Sequence, residues 1–195
     1  MAKLNAFNQK SATKLQLDAG ILVKNHTVGG EIEEENKLGI TSGGASFSAV
    51  PEWRNLFEDV DGARGQYKDG MVIDSWDITL TATVKEMTVE NLKTALAVAD
   101  QAVGDSELSS THQKLTPRNN VQTSDYLTNV CWIGTLNDGE DTQVIIELKN
   151  VLNTNGFNFT ATDKGTGAIE LELKAHFDLA SPDAVPFTIH VPNAE

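Results

Sequence analysis

Residues 72–86 read VIDSWDITLTATVKE. Trp76, Ile78, Leu80, Ala82 and Val84 fall on one parity, and Asp77, Thr79, Thr81, Thr83 and Lys85 on the other. A period of two sends alternate side chains to opposite faces of a β-sheet, so this is a strand with one apolar and one polar face. At about 3.3 Å per residue it spans roughly 50 Å, against a usual strand of about 5 or 6 residues. A strand of that length outgrows a small sandwich.

The same alternation recurs. Ile169, Leu171, Leu173, Ala175 and Phe177 alternate with Glu170, Glu172, Lys174 and His176, and Val144, Ile146 and Leu148 with Gln143, Ile145, Glu147 and Lys149. The Asp138-Gly139 pair before this last run signals a hairpin with the stretch around Val130 and Trp132. Leu15 to Val23 reads as a first strand, with Gly20 marking a bulge or a close backbone approach. The stretch ASFSAV is a short half-buried strand that Pro51 is expected to stop. Phe157 and Phe159 suggest another, and Gly165 to Gly167 a tight turn. The tail carries Pro182, Pro186 and Pro192 around FTIHV, which limits it to an edge strand or an arm.

One helix is expected. Thr88 can cap it, Glu90 favours the positive end of its dipole, and Leu92, Ala95, Leu96 and Ala99 share a face, with Gly104 placed as a left-handed stop. Residues from Gly104 to Ser124 read as polar and turn-like. The pattern predicts a mainly β protein, an antiparallel β-sandwich or partial barrel with one flanking α-helix. With 195 residues it is expected as a single domain, 1–195. An N-terminal arm (1–14), a long loop (52–70) and a C-terminal arm (182–195) complete it.

Fifteen Lys and Arg stand against 28 Asp and Glu, a formal charge of −13. Phosphate-binding proteins need clustered cations to displace counterions, so neither nucleic acid nor an anionic membrane is a favoured ligand. No run approaches the roughly 20 apolar residues of a membrane span. The start, MAKLNAFNQK, lacks the apolar stretch of a secretory signal, and synthesis in a cytoplasm is expected.

Chemistry is sparse. The four histidines, His26, His112, His176 and His190, lack the spacing of a helical metal pair. Asp59, Asp61 and Gly62 begin like a calcium loop, but Gly70 stands where the bidentate glutamate belongs. Neither a phosphate-binding loop nor a G-x-S-x-G elbow is present. Cys131, alone in the chain, sits in an apolar strand as a buried, inert thiol. The expectation is no enzyme, no metal and no cofactor.

Several stretches carry a resemblance: LDAGILVKN, TSGGASFSAVPEWRN, DVDGARG, DSWDITLTATVKEMTVENLKTAL, LTPRNNV, DYL, IELKNVLNTNGFNFTATDKGTG, ELKAHFD and PFTIHVP. In that order they cover nearly the whole chain, which resembles the major tail tube proteins of long-tailed, non-contractile (siphovirus-type) bacteriophages and prophages of Gram-positive hosts. The resemblance implies a structural protein of the virion tail, assembled in the host cytoplasm. Hexameric rings of this one chain would stack into a tube around the tape measure protein, between tail terminator and distal tail proteins, with double-stranded DNA passing through. With the acidic balance, Asp77, Glu147, Glu170 and Glu172 on the polar strand faces are candidate lumen-facing acids of such a tube, and the sequence does not say which of them face it. In the long loop, Trp53, Arg54, Phe57, Arg64 and Tyr67 are candidate contacts between subunits or rings, the alternative being that the aromatics cap the subunit's own core. A tube subunit of a phage-derived bacteriocin or secretion particle is the alternative, and a carbohydrate-binding β-sandwich module ranks below it.

Overall fold

The computed structural model describes residues 11–103, 112–140 and 142–193. Along the chain run β1 (Gln16–Lys24), β2 (Thr41–Asn55), β3 (Met71–Val84), α1 (Val89–Leu96), β4 (Ala99–Val103) and β5 (Gln113–Pro117). They are followed by β6 (Leu127–Leu136), β7 (Gln143–Asn153), β8 (Asn158–Thr160), β9 (Ala168–Ala175) and β10 (Phe187–His190). Every pairing is antiparallel. The main sheet has the order β1-β6-β7-β9-β3-β2, with β10 added to β7 and β8 to β9, and β4 pairs with β5 alone. The protein is a mainly β, sandwich-like structure with one flanking helix.

The parity of β3 decides where the core lies. Ile78, Leu80, Ala82 and Val84 are buried in one cluster with Ile169, Leu171 and Leu173 of β9 and with Leu22, Val130 and Leu148 from the other half of the sheet. The sheet therefore folds over on itself around shared apolar side chains. Closure is helped where the chain approaches β2: Lys37 bridges to Val23, and the Leu38 N–H donates to the Leu22 carbonyl at 2.9 Å. A smaller cluster, Val23, Cys131, Ile133 and Ile145, lies on the opposite face of the β1-β6-β7 half under Val28 and Ile32.

Gly20 marks the expected bulge. The register of β1 against β6 shifts between Leu17 and Ile21, and a Cβ on Gly20 (φ +69°) would meet the Ile133 carbonyl oxygen at 2.6 Å. In β7, Leu148 and Val151 both face the core despite their odd spacing. The intervening Asn150 takes φ +52°, a conformation asparagine tolerates, where the neighbour of β7 changes from β10 to β9.

Four expectations are corrected. Pro51 does not end its strand: β2 continues to Asn55, with Pro51 opposite Trp76. β2 is the last strand of the sheet, and an edge strand tolerates proline because half of its backbone donors have no partner. The long loop expected at 52–70 accordingly begins only after Asn55, and its last three residues form a 3-10 turn (Lys68–Gly70). The helix is capped as expected, with the Asn91 N–H donating to Thr88 Oγ1 at 3.1 Å, but it ends at Leu96. Ala97 turns the chain with φ +61°, and Ala99 is buried from β4, where pairing with β5 overrides helix propensity. The expected stop, Gly104, lies outside the described residues, while part of the stretch expected to be turn-like is β5.

The arms are partly tied down. Of the N-terminal arm, 1–10 lies outside the described residues, while Ala12–Lys14 forms a 3-10 turn whose Ala12 carbonyl accepts from Asn137 Nδ2 at 3.2 Å. The C-terminal arm contains β10, the expected edge strand, anchored by Phe187 with its ring centroid 5.7 Å from those of Phe47 and Trp76.

Two buried amides hold the helix in place, one to the connections flanking the sheet and one to the sheet itself. Asn91 Nδ2 donates to the carbonyls of Leu38 and Glu86 at 3.2 and 3.0 Å. Asn153 Nδ2 donates to Ala95 and Gly156 at 2.7 and 2.9 Å, and its Oδ1 accepts from the Glu172 N–H at 2.8 Å. Asn153→Leu leaves these backbone groups without partners and is expected to cost about 3 kcal/mol in urea unfolding, with an unchanged m-value.

Candidate functional site

The outward face of β2, β3 and β9 is a polar surface arranged in rows. Ser42 pairs with Thr83 and Thr83 with Glu170; Ser46 with Thr81 and Thr81 with Glu172; Ser48 with Thr79 and Thr79 with Lys174. Asp77, next along β3, forms an ion pair with Lys174 at 2.7 Å. Glu172 Oε1 accepts from Thr154 Oγ1 at 3.1 Å. The pleat that buries Leu80 and Leu171 thus delivers hydroxyls and carboxylates to the other side. Asp77, Glu170 and Glu172, read from the sequence as one polar set, share this surface.

Glu147 does not. It lies on β7 opposite Cys131, on the face of the smaller apolar cluster, with 13% of its side chain exposed. Asn129 Nδ2 donates to its Oε1 at 2.8 Å and also to the His26 carbonyl at 2.7 Å. Strand parity alone cannot say which of two outward faces an acid occupies. Burial and, secondarily, the charge of Glu147 push the Cys131 thiol up to about 12, so this cysteine is a poor nucleophile.

The second feature is the far end of β2 and β3. β9 pairs with β3 only from Thr79 to Val84, whereas β2 follows β3 to Met71. Beyond β9 the two strands continue as a ribbon that ends in the turn at 56–70. The register shifts between Glu52 and Trp53, which leaves Asp74 unpaired in the ladder. Arg54 reaches it with three hydrogen bonds, Nε to Oδ2 and Oδ1 at 2.8 and 3.1 Å and Nη2 to Oδ1 at 2.9 Å. At the tip the rings of Phe57 and Tyr67 meet edge to face, with centroids 5.7 Å apart. Gly70 is required beneath them, because a Cβ there would meet the Phe57 ring at 2.3 Å. The Arg64 N–H donates to the Tyr67 hydroxyl at 3.3 Å.

The sequence-predicted contact residues Trp53, Arg54, Phe57, Arg64 and Tyr67 are therefore brought together on one projecting ribbon. Their aromatics are not absorbed by the main core: Trp53 is 56% exposed, Tyr67 48% and Phe57 38%. Leu56, Val60 and Ile73 are exposed beside them.

Among the described residues no three His, Cys, Asp or Glu side chains converge as a metal site, and no helix is long and apolar enough to cross a membrane. His26 is buried, His176 packs edge-on against Tyr126, and His190 lies on β10. The surface presents a hydroxyl and carboxylate sheet face joined to an apolar, aromatic tip.

Hydrogen bonds from Arg54 hold the Asp74 carboxyl below the ordinary aspartate range. A depressed folded-state value stabilises at pH above the unfolded one and is lost as pH falls through the folded one. The pair is exposed, so the effect is local. Amide exchange in residues 52–55 and 71–75 is expected to quicken as pH drops below the usual aspartate range, after correction for intrinsic exchange. In Asp74→Asn that extra acid sensitivity should vanish.

The chain matches no model of a known protein family and no curated protein.

Proposed function

We propose that this chain is the major tail tube subunit of a siphovirus-type bacteriophage or prophage, a structural rather than catalytic protein. The observation that carries the proposal is the polar face of β2, β3 and β9, bounded by an open edge. β2 runs from Thr41 to Asn55, and among the described residues no strand pairs with its outer side. Unpaired edges recruit strands from other chains unless they are blunted or covered. Six copies joined through such edges would continue the sheet into a closed barrel, which alone removes the edge, with the Ser, Thr and Glu rows turned inward. Stacked rings would then form a tube around the tape measure protein.

The charge supports a conduit. Each copy brings a formal −13, and carboxylates such as Glu170 and Glu172 repel phosphates, so double-stranded DNA slides past without finding counterion-releasing contacts. The ribbon tip supplies the contact between rings, since aromatic anchors dominate interface energetics. A bacteriocin-type tube would use the same surfaces.

Negative-stain electron microscopy of the purified chain, fresh and after incubation at high concentration, is expected to show hollow tubes with six-fold rings. If no tubes form and antibodies against the chain leave the tails of particles made by cells carrying the gene undecorated, the proposal falls. A separate experiment tests the inward face. The double variant Glu170→Lys, Glu172→Lys should build normal tubes that eject DNA slowly or stall, and ejection at the normal rate would remove this face from the lumen.

A further inference from the structure

The turn at 56–70 joins β2 to β3 at one end of the sheet, while Thr41 of β2 and Val84 of β3 lie at the other, roughly 40 Å away at about 3.3 Å per residue. A second apolar surface occupies that far end. Phe159 of β8 sits beside Ile169, which sits beside Val84. The Phe159 ring and Met87 Sδ both face Gly167, with a Cβ there 2.7 Å from the ring and 3.8 Å from the sulfur. The Phe157 ring lies parallel to that of Phe159, with centroids 6.4 Å apart. Ile40 lies at the same end of the sheet on the β2 side, its carbonyl accepting from the Lys85 N–H at 2.8 Å, two residues before Met87. All four apolar side chains are exposed.

We infer that the ribbon tip of one copy seats on the Ile40, Met87, Phe157 and Phe159 surface of the next copy. The biological setting rests on the tube reading above. Neither surface can cover the other within one chain, because the sheet holds them at opposite ends. Size favours a second copy. At about 150–250 Å² for a whole aromatic side chain, the exposed fractions of Trp53, Tyr67 and Phe57 amount to about 300 Å². Leu56, Val60 and Ile73 extend this toward the roughly 800 Å² per partner of a specific interface. The chemistry fits as well, since a thioether beside two phenyl rings packs adaptably against incoming aromatics. Because the two surfaces differ, the contact is head to tail, and a head-to-tail contact that does not close propagates along one axis.

Paired variants, each with one introduced cysteine, test this, since native Cys131 is fully buried and gives little background. Val60→Cys marks the tip and Met87→Cys the opposite surface. Mixed and oxidised at high concentration, the two are expected to form a mixed disulfide dimer, while each variant alone gives only background. Phe157→Ser added to the Met87→Cys chain should lower the mixed product by at least about tenfold while far-UV circular dichroism and melting stay unchanged. Self-linked Val60→Cys would mean tip on tip, self-linked Met87→Cys surface on surface, and either result overturns the inference. Electron microscopy of the same samples separates it from the tube reading. Hollow tubes without mixed product sink the head-to-tail contact alone; mixed product in open filaments sinks the ring alone; neither tubes nor product sinks both.

Discussion

β3 is paired on both sides only between Thr79 and Val84, and the rest of the molecule is arranged around that limit. Where β9 is present, each β3 side chain must choose between an enclosed face and an open one, and Leu80 and Ala82 go inward while Thr81 and Thr83 go outward. Burying a side chain of the size of Ile78 or Leu80 contributes about 1.5–3 kcal/mol, so the alternation fixes the register as well as the face. A slip of one residue would turn the whole apolar set to water. Trp76 and Ile78 extend the inward set past the last β9 pair, and beyond them the ribbon holds itself with the Arg54–Asp74 pair and the Phe57–Tyr67 contact.

That division separates stability from availability. The clustered residues of β3, β9, β6 and β7 hold the fold. The Ser, Thr and Glu rows and the aromatic tip take little part in the core, so their composition is free to answer to something outside the chain. In the proposed tube these are the surfaces that meet the lumen and the neighbouring subunit, and a chain that relies on them for assembly needs no deep pocket.

Much of this was legible in the sequence because alternation is a local signal. The strands around Leu80, Ile146 and Leu171, the Gly20 bulge, the Asp138-Gly139 turn and the Thr88 cap each depend on residues close in the chain. The misreadings share a different cause: they depend on who the neighbour is. Pro51 ends an interior strand but not an edge strand, and the sequence does not say which β2 is. Ala99 fits a helical face and a strand equally well until β5 supplies a partner. Glu147 and Glu170 look alike in pattern, yet one is mostly buried on β7 beside Asn129 and the other exposed on β9 beside Thr83. The Arg54–Asp74 contact needs a one-residue shift in register that no spacing rule announces.

An open edge and an apolar tip on one chain raise the question of what keeps association orderly. Part of the answer lies in β2 itself. Bulges interrupt it between Ser42 and Ala45 and between Glu52 and Trp53, and Pro51 removes a donor. Bulges and prolines are common devices that blunt an edge against indiscriminate pairing. They leave Ala45 to Val50 as the one regular stretch, about six residues, the length of an ordinary strand. A partner strand is thereby confined to a single short register. The excess of acids supplies the rest, because chains of formal charge −13 repel one another at long range and meet only where short-range contact is good enough to offset that repulsion. On the proposed reading, a limited edge, a distinct surface at each end and a repulsive background together favour growth along one axis over collapse into aggregates.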